Sequence, residues 1–248
     1  IAFANCFVTA LVTDDFEGRF DPSRVDALEA MHASWADDTT TMLHDTGAVL
    51  ANPEVFAAKV VWDFWVYWAF ACQYFFQGLY RLTGEEHEVF AHIGRAFYER
   101  NAKAQRIFRT WAMAADRRVR RAFVGAPLFP SFAAERHLDL VPGKSPEETR
   151  ALFVRLLDEA DEILDEIAGR ALRTVAPSDA ARLRAAWVDE GLVRPATSSR
   201  LAVEKMRGGA RRKALGGVAR DVERILGRLD ADASSLATAW GAPAGGQA

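Results

Sequence analysis

The chain has 248 residues, with 31 Lys plus Arg against 34 Asp plus Glu, giving a formal net charge of −3 and an isoelectric point near 6.0. That balance argues against a generally basic nucleic-acid binder, and a composition half hydrophobic and 26% charged is globular, not disordered. The two cysteines, Cys6 and Cys72, exclude a disulfide scaffold and a Cys-x-x-Cys zinc site.

In chain order the sequence reads as helix after helix. It opens directly on an apolar run, Ile1 to Val12, without the basic stretch of a signal peptide. The run is too short for a membrane span, which takes roughly 20 residues. No N-cap precedes this helix, so the expectation is a piece of a larger cytoplasmic protein. The first helix is expected over 1–16, ending near Gly18. Asp21-Pro22 supplies an N-cap with Pro at the first helical position and opens a second helix to about 46, followed by Gly47. Asn52-Pro53-Glu54 repeats the signal and opens a third to about 82, broken at Thr83-Gly84. Glu85 and Glu86 place acid at the positive end of a fourth, expected to reach about 123. Residues 124–145, with Pro127, Pro130, Pro142 and Gly143, read as a loop holding at most one short turn of helix. Ser145-Pro146-Glu147-Glu148 is a capping box opening a fifth helix over about 147–169. Ser178-Asp179 starts a sixth over about 179–190, and weaker helices follow at about 198–207 and 213–229. No stretch alternates as a strand would.

The expected fold is therefore an all-α bundle of seven to eight helices. Residues 1–125 form an aromatic-rich core, 126–146 a Pro-rich loop, 147–240 amphipathic outer helices and 241–248 a disordered tail. The third helix carries the strongest signal. Phe56, Trp62, Phe64, Trp65, Tyr67, Trp68, Phe70, Tyr74, Phe75, Phe76 and Tyr80 surround it instead of forming one stripe. Such a helix is buried on most sides, walls an apolar pocket or lies against a membrane. Lys59 and Asp63 stand at i, i+4 and can pair, and once buried the pair must be fully hydrogen-bonded.

Other chemistry is weakly signalled. Glu29-Ala-Met-His32 is one Glu-x-x-His step, whereas a di-metal four-helix bundle uses two. Glu88 and His92, preceded by Glu85, Glu86 and His87, lie on one helix, and solvated faces explain them more simply. No phosphate loop, dinucleotide glycine motif, nucleophile elbow or His-Glu-x-x-His is present. Arg117, Arg118, Arg120 and Arg121 end the fourth helix, where they complement its dipole, with anion binding as the functional alternative. Arg207, Arg211, Arg212 and Lys213 form a second cluster with no interleaved aromatic, so no nucleic-acid partner is expected.

Two segments together resemble a known family. They are Ile1-Ala-Phe-Ala-Asn5-Cys-Phe-Val-Thr-Ala-Leu-Val-Thr-Asp-Asp-Phe-Glu-Gly18 and Ala57-Ala-Lys59-Val-Val-Trp62-Asp63-Phe-Trp65-Val-Tyr67-Trp68. Both are similar to the C-terminal part of flavin-dependent halogenase-like oxidoreductases, the broad family that includes tryptophan halogenases. In many members an FAD-contacting Ser-Pro-Gly-Ser stretch leads straight into an apolar helix like residues 1–16, and a Lys-x-x-Trp-Asp-x-x-x-Tyr-Trp-like segment follows. The resemblance runs to about residue 125. The family's Gly-rich loop, its Trp-x-Trp-x-Ile-Pro motif and its catalytic Lys have no counterpart in this sequence.

The resemblance implies the C-terminal helical portion of a larger FAD-binding α/β enzyme. It would be a cap or substrate-pocket segment of a monooxygenase or halogenase-like oxidoreductase, inactive alone. Ile1, Ala2 and Asn5 would face FAD, with the start of the first helix offering N–H groups to the pyrophosphate. Lys59, Trp62, Asp63, Trp65, Tyr67 and Trp68 would line the pocket of an apolar small molecule. The implied partner is an N-terminal FAD domain, and no catalytic residue or metal ligand is assigned. The alternatives are a stand-alone helical interaction or peripheral-membrane module, and a ferritin-like di-metal carboxylate protein.

Overall fold

The computed structural model describes residues 2–115 and 131–193. Ile1, the arginine cluster at 117–121, the helices expected at 198–207 and 213–229 with their basic cluster, and the tail at 241–248 lie outside the described residues.

Helix starts follow the capping chemistry. In α1 (Ala2–Phe16) the helix runs to a turn closed by Gly18, at φ +69°. Asp21 caps α2 (Pro22–Leu43), its carboxylate accepting from the Ser23 N–H at 2.9 Å. A four-residue α3 (Gly47–Leu50) leads to Asn52, whose Oδ1 accepts from the N–H groups of Glu54 and Val55 to open α4 (Pro53–Val66). The helix continues through a π-helical segment (Tyr67–Cys72) into α5 (Gln73–Phe76) and then a 3₁₀ turn (Leu79–Arg81). Beyond it lies α6 (Gly84–Ala114), then α7 (Ser131–Leu138), α8 (Pro146–Thr174) and α9 (Pro177–Asp189). Ser145 and Glu148 form the reciprocal capping box of α8. No strand occurs among the described residues, which form an all-α bundle; with α4, the π-helical segment and α5 taken as one continuous helix it has eight helices, within the seven to eight expected.

Some boundaries differ from the sequence expectation. The third expected helix stops at Phe76, because Gly78 adopts the left-handed conformation, φ +67°, that glycine takes without a Cβ penalty. The fourth ends at Ala114, not near 123: Ala115 turns to extended backbone, and no Gly or Pro at that point signals the stop. The second ends at Leu43, where His44 is extended and Asp45 takes φ +56°. The fifth overruns Gly169 to Thr174, since Ala168, Arg170 and Ala171 are buried there and packing outweighs a glycine cost of about 1 kcal/mol. The expected loop contains the two-turn α7.

Helix α6 is the central element, packing against α2, α3, α4, α8 and α9. Its apolar face carries Phe97, Phe108 and Trp111 into the interior, where Trp62 and Trp65 of α4, Phe153 of α8 and Trp187 of α9 meet it. Phe70 stacks on Phe97 at 4.1 Å between ring centroids, and Phe153 stands edge-on to Phe70 at 5.5 Å. One continuous core thus joins the aromatic helices to α8 and α9.

Candidate functional site

The residues singled out on α4 divide by helical face. Trp62 and Trp65 point inward and are sealed from water, as is most of Lys59, at 5% exposure. Val55, Ala58, Val61 and Val66 share that side. Phe56, Phe64 and Tyr67 lie on the opposite side and are exposed. Asp63 sits between the two faces, and its partners come from α4 and α6.

Lys59 Nζ donates to Asp63 Oδ2 at 2.7 Å and to Gln105 Oε1 at 2.9 Å. Gln105 Nε2 donates to Asp63 Oδ1 and to Asn101 Oδ1, each at 3.2 Å. Asn101 Oδ1 also accepts from Trp62 Nε1 at 2.9 Å, and its Nδ2 donates to Asp38 Oδ1 at 2.6 Å. One chain of hydrogen bonds therefore runs from α2 through α6 to α4. Both members of the pair have further hydrogen-bond partners on α6, and the structure makes Lys59–Asp63 a largely internal ion pair.

Electrostatics in this chain are set by burial. Burial pushes the Asp63 carboxyl above its ordinary range, against the opposing pull of the Lys59 ammonium. Asp38 is also raised, first by burial and further by repulsion from Asp63, while the Asn101 amide pulls the other way. Asp38 has no ammonium beside it: its partner is the neutral Asn101 amide, so burial and the nearby Asp63 charge both favour its protonated form.

A second cluster surrounds the π-helical segment. Trp65 Nε1 donates to Glu159 Oε1 of α8 at 2.8 Å, and Arg136 Nε of α7 lies 3.5 Å from Glu159 Oε2. Burial raises the Glu159 carboxyl, with Arg136 opposing. The half-buried Trp68 stacks on His137 at 4.1 Å, and Tyr67 meets Trp68 edge-on at 5.0 Å. π-Helical insertions occur often at functional positions. Here the insertion brings Gln73 to the interior, where its Nε2 donates to the Asp139 carbonyl at 3.1 Å and ties α5 to the segment after α7.

The six expected pocket residues thus fall into three settings: Lys59, Trp62 and Asp63 in the α2–α4–α6 network, Trp65 in the core beside Glu159, and Tyr67 with Trp68 at the surface under α7. Two surface cavities, of about 640 and 390 Å³, are lined by none of the six. The sequence reading missed Asp38, Asn101, Gln105 and Glu159. Their signal was a polar pair at i, i+4, Asn101 and Gln105, on the face of α6 that otherwise buries Phe97, Ala104 and Phe108.

On the flavin side, Asn5 is exposed one turn into α1. Its helix is largely apolar through Val12, yet among the described residues only one side is covered: Phe7 and Ala10 are core, whereas Val8 is 58%, Val12 62% and Phe16 90% exposed. The first turn of α1 carries backbone N–H groups of the kind that meet anions, and Asn5 lies in that turn. They do not make a complete dinucleotide cradle, which takes a Gly-rich turn as well.

The metal-ligand candidates stay apart. Glu29 and His32 lie on α2, and Glu88 and His92 on α6, with the His92 imidazole bonded to the Glu88 carbonyl at 2.8 Å. Among the described residues no three His, Cys, Asp or Glu side chains converge as a metal site would require. The Pro53–Phe76 helix is long and apolar enough to cross a membrane, but 61% of its most apolar stretch is buried within the protein, as in a core helix. Comparison with protein-family models, with curated proteins and with solved structures gives no match.

Proposed function

We propose that this chain is the helical cap portion of an FAD-dependent oxidoreductase of the halogenase-like class, and that α1 seats it against a flavin-bearing domain. The observation that carries this reading is the half-covered α1. A helix apolar all round is stable in water only when both sides are covered, and here Val8, Val12 and Phe16 lack a cover among the described residues. Ala2 and Asn5 belong to the first turn of that helix, and with Ile1 before them they are the residues that would offer N–H groups to a pyrophosphate. FAD would supply the oxygen and redox chemistry, and this chain would supply shape and exclusion of water around an apolar substrate.

The fixed Lys59–Asp63–Gln105–Asn101 chain fits a positioning role, holding α4 rigid behind its exposed aromatic face. The test is flavin binding. Two charge-assisted hydrogen bonds from α1 contribute about 3–6 kcal/mol. Association costs about 4–15 kcal/mol. The isolated chain should therefore bind FAD no tighter than about millimolar. Flavin fluorescence should show tight binding only when the chain is joined to a flavin-bearing domain. There, Asn5→Asp should weaken binding by placing negative charge near the pyrophosphate. Saturable micromolar binding by this chain alone, or an upstream domain without a dinucleotide-binding motif, would overturn the reading.

A further inference from the structure

The cavity of about 640 Å³ lies between the C-terminal half of α1, the start of α2 and the turn from Tyr80 into α6. Its volume falls within the range of small-molecule sites, roughly 300–1,000 Å³. The floor is apolar, with Ala10, Leu28 and Tyr80 buried.

The charged groups around it are not equivalent. Its two acids are committed to the fold. Asp14 lies 2.8 Å from Arg24 Nε and 3.5 Å from Arg19 Nη2, and Asp21 caps α2. Arg24 is held in turn, its Nη1 donating to the Arg81 carbonyl at 3.2 Å. Arg19 also pairs with Glu17. The groups left over are donors. The Arg81 guanidinium lies over the Tyr80 ring, 5.4 Å from its centroid, and has no carboxylate partner among the described residues. Thr83 makes no cap bond with its side chain, and the His87 imidazole has no hydrogen-bond partner among the described residues. The acids of the first turn of α6, Glu85 and Glu86, do not line the cavity.

We propose that this cleft binds a small amphipathic anion, with its carboxylate on Arg81, Thr83 and His87 and its apolar body over Ala10, Leu28 and Tyr80. The chemistry follows from what is unspent: donors at one end, hydrocarbon at the other. A planar guanidinium already stacked on a ring is well placed to take a carboxylate through two parallel N–H bonds. The site does not rest on the flavin reading, since it lies at the far half of α1 from Asn5.

Isothermal titration of the full chain with sodium decanoate tests it, with inorganic phosphate and decanol as head-only and tail-only arms. Decanoate should bind saturably at one site, at least about tenfold tighter than either arm. Arg81→Gln, a change at an exposed side chain, should weaken decanoate at least about tenfold, equivalent to about 1.4 kcal/mol. Arg182→Gln on α9, where the arginine pairs with Asp179, should leave it unchanged. Decanoate binding that is not saturable, or that Arg81→Gln does not alter, would overturn the proposal. Phosphate binding as tight as decanoate would also overturn it, by removing the apolar floor from recognition.

Discussion

At Lys59 an ammonium is held in the interior by one carboxylate and one amide oxygen, so its surroundings tolerate little change. Asp63→Asn removes the countercharge and leaves Lys59 with amide oxygens only. The expected loss is about 3–5 kcal/mol, as for an uncompensated buried charge, read from the urea midpoint. Asp38→Asn is the contrasting case, because an amide oxygen still accepts from Asn101 Nδ2. The sign of its pH dependence follows from the raised Asp38 carboxyl. The folded state holds that proton more tightly than the unfolded one, so this contribution to stability falls as pH rises from the ordinary carboxylate value, about 3.9, through the raised one. The stability of Asp38→Asn relative to the parent should therefore increase across that window. A variant-minus-parent stability that falls with rising pH in denaturation curves would contradict the assignment. The i, i+4 spacing of Lys59 and Asp63 was readable from the sequence. Asn101, Gln105 and Asp38 were not, because their partnership depends on which faces of α2, α4 and α6 meet.

Among the elements, the N-termini of α2, α4 and α8 were legible because each places a capping side chain before Pro. The buried Asn52 is the strongest of these tests. Asn52→Ala frees two N–H groups at the start of α4 and should cost about 1–2 kcal/mol in thermal or urea unfolding. Asn52→Asp should recover most of that, since it keeps the acceptor. Helix ends were harder to read. Gly78 and Gly18 stop helices by left-handed backbone, but α6 stops at Ala115 with no residue that forces it. The π-helical segment was invisible for a different reason. An extra residue per turn leaves no periodic trace in a stretch that is apolar on every side, so the burial of Gln73 against the Asp139 carbonyl shows only in three dimensions. The same all-round apolarity hid which of the α4 aromatics are core, Trp62 and Trp65, and which are surface, Phe64 and Tyr67.

For the whole molecule, the all-α class was readable from period and caps, whereas no candidate site follows from them, because a site depends on what remains uncovered. The side of α1 that no described residue covers should make the isolated chain self-associate. Val8→Lys with Val12→Lys replaces two exposed apolar side chains without touching Phe7 or Ala10. The double variant should run as a monomer in light scattering at concentrations where the parent is larger, with an unchanged melting temperature. Equal masses for the two would remove α1 as the sticky surface. The burial of the tryptophans has an optical corollary. Trp62, Trp65, Trp111 and Trp187 are fully sealed from water, four of the seven in the sequence, and they come from α4, α6 and α9. Indole emission shifts to longer wavelength as water reaches the ring, so the colour of the intrinsic fluorescence reports whether these three helices remain assembled. Trp187 reports on α9 in particular: its Nε1 donates to Thr110 Oγ1 of α6 at 2.9 Å, so peeling α9 away would redden the emission before the centre opens.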